Sequence, residues 1–277
     1  MPAQLLDGKL AATEIRKETT ARVEALSIPP RLGILVAEGD RPSAAYAKVL
    51  RRRGDKLGLE VQRHRYPDDI ARHDFNALLA EVEEAAHGVL VMRPLPRQLD
   101  PAAVDELIDP LKDVDGVQPA NVGLLALGRP RFVPATARAM HLLLQRSGVP
   151  LKSKRAVIIG RSPTVGKPLF QLLLAEHLTV TVCHSRTVDL AARAAEADVL
   201  AVAVGRAHLV TPEFIKPGAV VLDAGYNWDA DASHELGDVH PAAAETAGWF
   251  TPVPGGVGPL TTELMLANAV AAAELQQ

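Results

Sequence analysis

Short apolar runs bounded by glycine, proline and charge alternate along this chain with longer stretches whose apolar positions recur at helical spacing. Residues 11–26, with Ile15, Val23 and Leu26 among their apolar positions, read as an amphipathic helix. Residues 31–39 carry Leu32, Ile34, Leu35 and Val36 and read as the first strand. Pro42 stands where a helix often opens, and 43–57 continues as a helix that Gly58 stops. A strand over 61–66, a helix over 74–86 and a buried strand over 88–92 follow, then a short helix over 101–108. The intervening RPLPRQLDP is too rich in proline for regular structure. This is one βαβαβ half.

A linker region begins around 110–116 and runs to Pro134, and 140–148 reads as a helix. The second half starts at Arg155, with strands expected at 156–159, 179–183, 199–204 and 219–224. Helices fit 169–177 and 188–197, a loop fits 249–258, and 259–275 closes the chain as a helix. Strands alternating with helices argue for a parallel sheet with right-handed crossovers. The expected fold class is α/β, with two domains around a cleft: 1–118 completed by 259–277, a connecting segment and helix at 119–148, and a second domain at 149–258.

Composition narrows the partners. At 277 residues and 48% hydrophobic the chain can bury a sizeable core, and 4% aromatic makes that core mostly Ala, Leu and Val. A net charge of −3 gives no nucleic-acid footprint. Cys183 is the sole cysteine, which excludes an intrachain disulfide and a cysteine-based zinc site, and the nine histidines show no ligand spacing, so no metal is expected. The first residues have no apolar signal core, and no run approaches the ~18 residues of a membrane span, so a cytoplasmic protein without membrane contact is expected.

The chain is organised around AVIIGRSPTVGKP, residues 156–168. An apolar strand ends at Gly160, and a polar turn reaches Gly166 and Lys167 before an apolar helix begins. Free backbone N–H groups and the positive end of a helix dipole then meet at one point, which suits a phosphate. The spacing is not G-x-G-x-x-G, and the same residues also fit an ordinary βα turn. The next strand ends in Cys183-His184-Ser185-Arg186-Thr187, without the carboxylate that usually accepts from an NAD ribose. Nearby cations, helped by Arg161, favour the extra phosphate of NADP over NAD, unless His184 and Arg186 simply face solvent. The loops after Gly205 and Asp223 lie where a nicotinamide would, and Asp223 itself reads better as a structural turn carboxylate than as a catalytic one.

Taken together, several motifs resemble the methylenetetrahydrofolate dehydrogenase/cyclohydrolase family. They are Gly160-Arg161-Ser162 with Val165-Gly166-x-Pro168, then Cys183-His184-Ser185-x-Thr187, TPVPGGVGP at 251–259, KDVDG at 112–116, Leu6-Asp7-Gly8 and Pro94-Leu95-Pro96. The resemblance covers essentially the whole chain. It implies a cytoplasmic homodimer with an N-terminal folate-binding catalytic domain and a Rossmann-like NADP-binding domain. The implied reaction is oxidation of 5,10-methylenetetrahydrofolate to the methenyl form by hydride transfer to NADP, followed in most members by hydrolysis to 10-formyltetrahydrofolate. Asp115 matches the family's pterin-contacting carboxylate and Tyr46 the tyrosine that packs against the folate. Gly255, Gly256 and Pro259 belong to a loop expected to approach the ligands, since glycine permits close backbone contact. Gly160, Arg161, Ser162, Gly166 and Ser185 match the cofactor's phosphate sites, and Tyr226 the position beside the nicotinamide half.

The chain departs from that family at two positions. The family's helix reads Tyr-x-x-x-Lys with a catalytic lysine, and this chain has Leu50 one turn after Tyr46, on the same face. Lys48 lies roughly 200° around from Tyr46. Arg53 returns to the right face, but a guanidinium is a poor base. The family's V-Q-L-P-L-P reads VMRPLP here, so Met92 replaces the glutamine that bonds to the lysine. Losing both partners of a buried polar pair leaves nothing unsatisfied. The expectation is a dehydrogenase with weak or absent cyclohydrolase. The alternatives are a bifunctional enzyme using Arg53, Arg93 or Lys48, a non-catalytic folate- or NADP-binding homologue, and an NADP dehydrogenase of another small substrate.

Overall fold

The computed structural model describes residues 3–229 and 234–277. In chain order the elements are β1 (Gln4–Leu5), α1 (Gly8–Glu24), β2 (Arg31–Ala37), α2 (Arg41–Leu57), β3 (Glu60–Tyr66), α3 (Arg72–Ala85) and β4 (Gly88–Val91). There follow α4 (Pro101–Leu107), α5 (Pro119–Ala126), α6 (Ala135–Arg146), β5 (Arg155–Ile159), α7 (Gly166–Ala175), β6 (Thr179–Cys183) and α8 (Leu190–Ala194). The remainder are β7 (Val199–Val202), β8 (Val220–Asp223), β9 (Asn227–Asp229), β10 (His234–Leu236), β11 (Trp249–Phe250) and α9 (Val257–Glu274). The chain divides into two compact units, one made of Met1–Thr13 and Pro134–Thr261, the other of Glu14–Val133 and Thr262–Gln277. The opening residues thus group with the later unit, and the segment 119–133, read as part of a connector, groups with the earlier one.

In the unit built on Glu14–Val133, a three-stranded parallel sheet runs β3-β2-β4. Leu35, Tyr66, Phe75, Leu79 and Val91 pack in its core, with the Tyr66 and Phe75 rings edge to face at 5.2 Å. Helix α2 starts where Asp40 accepts from the Ser43 N–H at 3.0 Å, with proline in the first turn, and ends at Gly58 in the left-handed conformation. Its apolar positions Ala47, Leu50 and Leu57 are buried, and Arg41, Arg51 and Arg52 lie toward solvent. The region read as a linker contains α5, opened by the Gln118 side chain accepting from Ala120 and by Pro119.

The other unit holds a six-stranded parallel sheet in the order β1-β11-β8-β7-β5-β6. Its strands from β5 onward are buried, near-continuous aliphatic runs, as a sheet covered on both faces requires. The edge strand β6 is the exception, being largely exposed. Chain order reverses between β5 and β7, so the sheet has a topological switch point there. Four strands have no counterpart in the sequence reading: β1 and β11, which pair with each other, and the two of the β9–β10 hairpin. Residues 249–250, expected in a loop, form β11.

Candidate active site

At the switch point, β5 ends in Gly160, whose φ of 129° belongs to glycine. A side chain there would stand 2.3 Å from the Ala203 carbonyl, and one at Gly166 would stand 2.2 Å from the Gly160 carbonyl. The turn is therefore closed onto its neighbours by backbone alone. Ser162 ties it by accepting from the Val165 N–H at 3.1 Å. Helix α7 then starts at Gly166 with no side chain capping its N-terminus; Lys167 N–H donates to the Ser162 carbonyl at 3.1 Å and Pro168 has no N–H, so the helix dipole and the Gly166 N–H are what the turn offers an anion. Beside it, Ile159 of β5 is in register with Cys183 of β6, so the loops bearing Arg161 and Ser185 leave adjacent strands at the same end. Arg161, Ser185 and Arg186 are exposed, and the loop is held by His184 N–H donating to Thr187 Oγ1 at 2.9 Å. These features fit a phosphorylated dinucleotide.

Asp223 is buried, and its oxygens accept from the N–H groups of Gly225, Asp238 and Val239 at 2.8–3.1 Å. Burial pushes its carboxyl up to about 6. Asp238, also buried, accepts from Val204, Gly205 and Arg206 after β7 and from the Asn227 amide. Both are scaffold carboxylates of the loops at the strand ends, as expected for Asp223. Asp238 was not singled out from the sequence. Tyr226 follows β8 and is 62% exposed, free to meet a ligand.

Two motifs quoted separately form one structure. The Gly8 N–H donates to the Gly255 carbonyl at 3.0 Å, and a side chain on Gly8 would stand 1.7 Å from the Gly256 carbonyl. Parallel pairing of Gln4 and Leu5 with Trp249 and Phe250 brings them together. Thr251 Oγ1 accepts from the Asp223 N–H at 2.7 Å, which fixes the start of the Gly255-Gly256 loop, and Pro259 follows in the first turn of α9.

In the other unit, KDVDG is anchored from several sides. Lys112 Nζ donates to the Glu83 and Ala86 carbonyls, and Asp113 accepts from Gln118 N–H and Asn121 Nδ2 at 2.8 Å each. Val114 is buried, and its carbonyl accepts from Asn268 of α9 at 2.8 Å. These residues are scaffold, and they leave Asp115 half-buried. Burial pushes the Asp115 carboxyl up to about 7, Asp113 and Asp105 add to the rise, and Arg93 opposes it. Arg93 is itself ion-paired with Asp105 and, through its carbonyl, takes a 3.1 Å hydrogen bond from Ser43 at the start of α2. Burial also raises the Tyr46 phenol well above its ordinary value. Thr262 and Arg53 draw it down again, while Asp115 and Glu263 push it up. Tyr46 and Asp115 thus sit within electrostatic reach of each other. Leu50 is fully buried and Met92 half-buried.

Sequence reasoning missed Glu263. It is 1% exposed in the otherwise apolar α9, and its Oε1 accepts from Arg16 at 2.7 Å and from Arg53. A carboxylate in the interior of a mostly apolar helix was the available signal.

A family model for the tetrahydrofolate dehydrogenase/cyclohydrolase catalytic domain matches residues 6–115, and one for the same family's NAD(P)-binding domain matches 134–277. The chain belongs to the tetrahydrofolate dehydrogenase/cyclohydrolase family. The "Bifunctional protein FolD" of Moorella thermoacetica is 44% identical, with 99% of each chain covered. Among solved structures, FolD from Campylobacter jejuni superposes with a TM-score of 0.94 at 33% identity, covering 99% of this chain and 100% of that one. The Trypanosoma brucei FolD, complexed with NADP cofactor and inhibitor, also gives a TM-score of 0.94, at 34% identity over 100% of this chain and 99% of that one. The two-domain α/β fold with a parallel Rossmann-like sheet is that of this family.

Proposed function

We propose that this family member oxidises 5,10-methylenetetrahydrofolate to 5,10-methenyltetrahydrofolate with NADP and hydrolyses the product weakly or not at all. The observation that carries the second half is Leu50. It is buried on the Tyr46 face of α2, at the place where the resemblance implies a catalytic lysine. NADP as the cofactor is supported by exposed Arg161, Ser185 and Arg186 at the ends of β5 and β6, by the missing carboxylate there, and by the NADP in the T. brucei relative. When bound, the nicotinamide accepts a hydride from the substrate's methylene carbon.

The chain's own residues have three tasks in this reading. The turn from Gly160 to Gly166 and the α7 N-terminus hold phosphate, with Ser162, Arg161 and Ser185 around it. Tyr46 packs against the folate, and Gly255, Gly256 and Pro259 line its approach, which is orientation rather than proton transfer. Asp115 in its ionised form binds the pterin and offsets the positive charge that hydride loss creates. Hydrolysis needs more, an activated water and a proton carrier, help that supplies ~10²–10⁴-fold. Leu50 and Met92 offer neither.

The name of the Moorella relative favours retained hydrolysis, so the two steps must be measured apart. Purified protein given methenyltetrahydrofolate without cofactor should hydrolyse it little above the buffer rate, while oxidising methylenetetrahydrofolate with NADP at full rate. Leu50→Lys with Met92→Gln should raise hydrolysis by tenfold or more, on the scale of general acid–base help. Hydrolysis by the unaltered protein as fast as its dehydrogenation would sink the reading.

A further inference from the structure

Helix α2 carries Lys48, Arg51, Arg52, Asp55 and Lys56 at the i, i+3, i+4, i+7, i+8 spacing of a single helix face, and all five are exposed. Strand β3, an edge of the three-stranded sheet, packs close to this helix. Gly54 permits the approach, because a side chain there would stand 2.5 Å from a Val61 methyl carbon. Arg63 follows Val61 by two residues and so shares its face of β3, on the side of α2. The five cations and Asp55 together line an open groove of about 390 Å³, a size that admits a small molecule.

The protein does not neutralise this groove itself. Arg51 reaches Asp55 at 3.9 Å with both side chains about half exposed, a pairing of little strength. Lys48, Arg52, Lys56 and Arg63 form no ion pair among the described residues, and the Arg63 Nε is buried there with no hydrogen-bond partner. Lys48 with Arg52, and Arg52 with Lys56, stand one turn apart as like charges, an arrangement that opposes the helix. The chain carries a net charge of −3, so the positive concentration is local. An anion seated in the groove relieves the repulsion and meets the idle donors. Guanidinium groups pair with phosphate through two parallel N–H donors, and lysines add point charge. The lining has no aromatic ring on which a base could stack, whereas several negative charges in a short row match the stripe.

We propose that the groove between α2 and β3 binds a short phosphate chain, free or carried by a nucleotide, through Arg52, Lys56 and Arg63. The site uses none of the residues of the folate reading and does not depend on it. Its test is calorimetric titration of the full chain with inorganic triphosphate, ATP, sulfate and hexaglutamate at one ionic strength. Divalent cations are left out because they would neutralise the phosphates, and NADP is kept in excess to occupy the turn from Gly160 to Gly166. Triphosphate should bind one to one and at least tenfold tighter than sulfate. Arg63→Gln should weaken it about tenfold, the scale of one charge-assisted hydrogen bond. Arg52→Gln with Lys56→Gln, both at exposed positions, should weaken it further and keeps the test open if Arg63→Gln does not fold. Asp55→Asn removes the one opposing charge and should tighten binding. Equal affinity for ATP marks the chain as the part recognised wherever it is borne, and weaker affinity for ATP marks the free chain as the ligand. Triphosphate binding no tighter than sulfate overturns the proposal, as does binding undiminished by the groove variants. ATP binding tenfold tighter than triphosphate, or hexaglutamate binding as tightly, overturns the assignment to a phosphate chain.

Discussion

The carboxyl of Asp115 should make dehydrogenation pH-dependent across neutrality. Burial, then Asp113 and Asp105, push it up, Arg93 alone among these neighbours pulls it down, and the balance stands at about 7. If the ionised form offsets the charge created on the folate, activity follows the ionised fraction. That fraction is about a tenth at pH 6 and about nine-tenths at pH 8, so kcat/KM should rise about tenfold over this range. Arg93→Leu removes the one cation that favours ionisation and leaves Asp105 unpaired beside it, so the midpoint should move to higher pH. Asp115→Asn should be slow and flat. The assay follows formation of the reduced cofactor at constant ionic strength, because screening weakens each of these charges. A flat profile between pH 6 and 8, or an Asp115→Asn variant with full rate and the same midpoint, would refute this account.

Two further outcomes test the scaffold and the cofactor loop. Ser185→Asp supplies the carboxylate that β6 lacks at its end and should shift the NADP/NAD ratio of kcat/KM toward NAD by tenfold or more, read from kinetics with each cofactor. Asn268 donates to the carbonyls of Val114 at 2.8 Å and Val133 at 3.0 Å, and it is 3% exposed. Asn268→Ala strands both carbonyls and should cost about 2–4 kcal/mol in urea unfolding. It should also lower dehydrogenase activity, because KDVDG loses its tether beside Asp115.

Most of the strands were legible because they are buried aliphatic runs separated by helix-length stretches. Val157–Ile159 and Val199–Val202 needed no long-range information to be recognised. The elements that escaped are those whose stability is not local. Strands β1 and β11 have two residues each, too few for any period, and exist because they pair with each other. Helix α5 was hidden in an apolar PANVGLLA without clear amphipathicity. At the site, the backbone-determined parts were readable, since glycine at Gly160, Gly166 and Gly255 announces a close approach or a positive φ. The charge network was not. Arg16 and Glu263 are 247 positions apart, and nothing in the local sequence of either names its partner. The same holds for Arg93, whose pairing with Asp105 turns a residue noted for its motif into a control on Asp115.

The pairing of Gln4 with Trp249 has a consequence for how the protein is made. On the ribosome, β1 emerges long before β11, the strand it pairs with. The other unit waits as well, since Glu263 and Asn268 supply contacts to Arg16, Arg53 and Val114. The six-stranded sheet cannot close until β11 is made, and the other unit lacks the partners of Arg16, Arg53 and Val114 until α9 is made, so each is open to wrong pairings while incomplete.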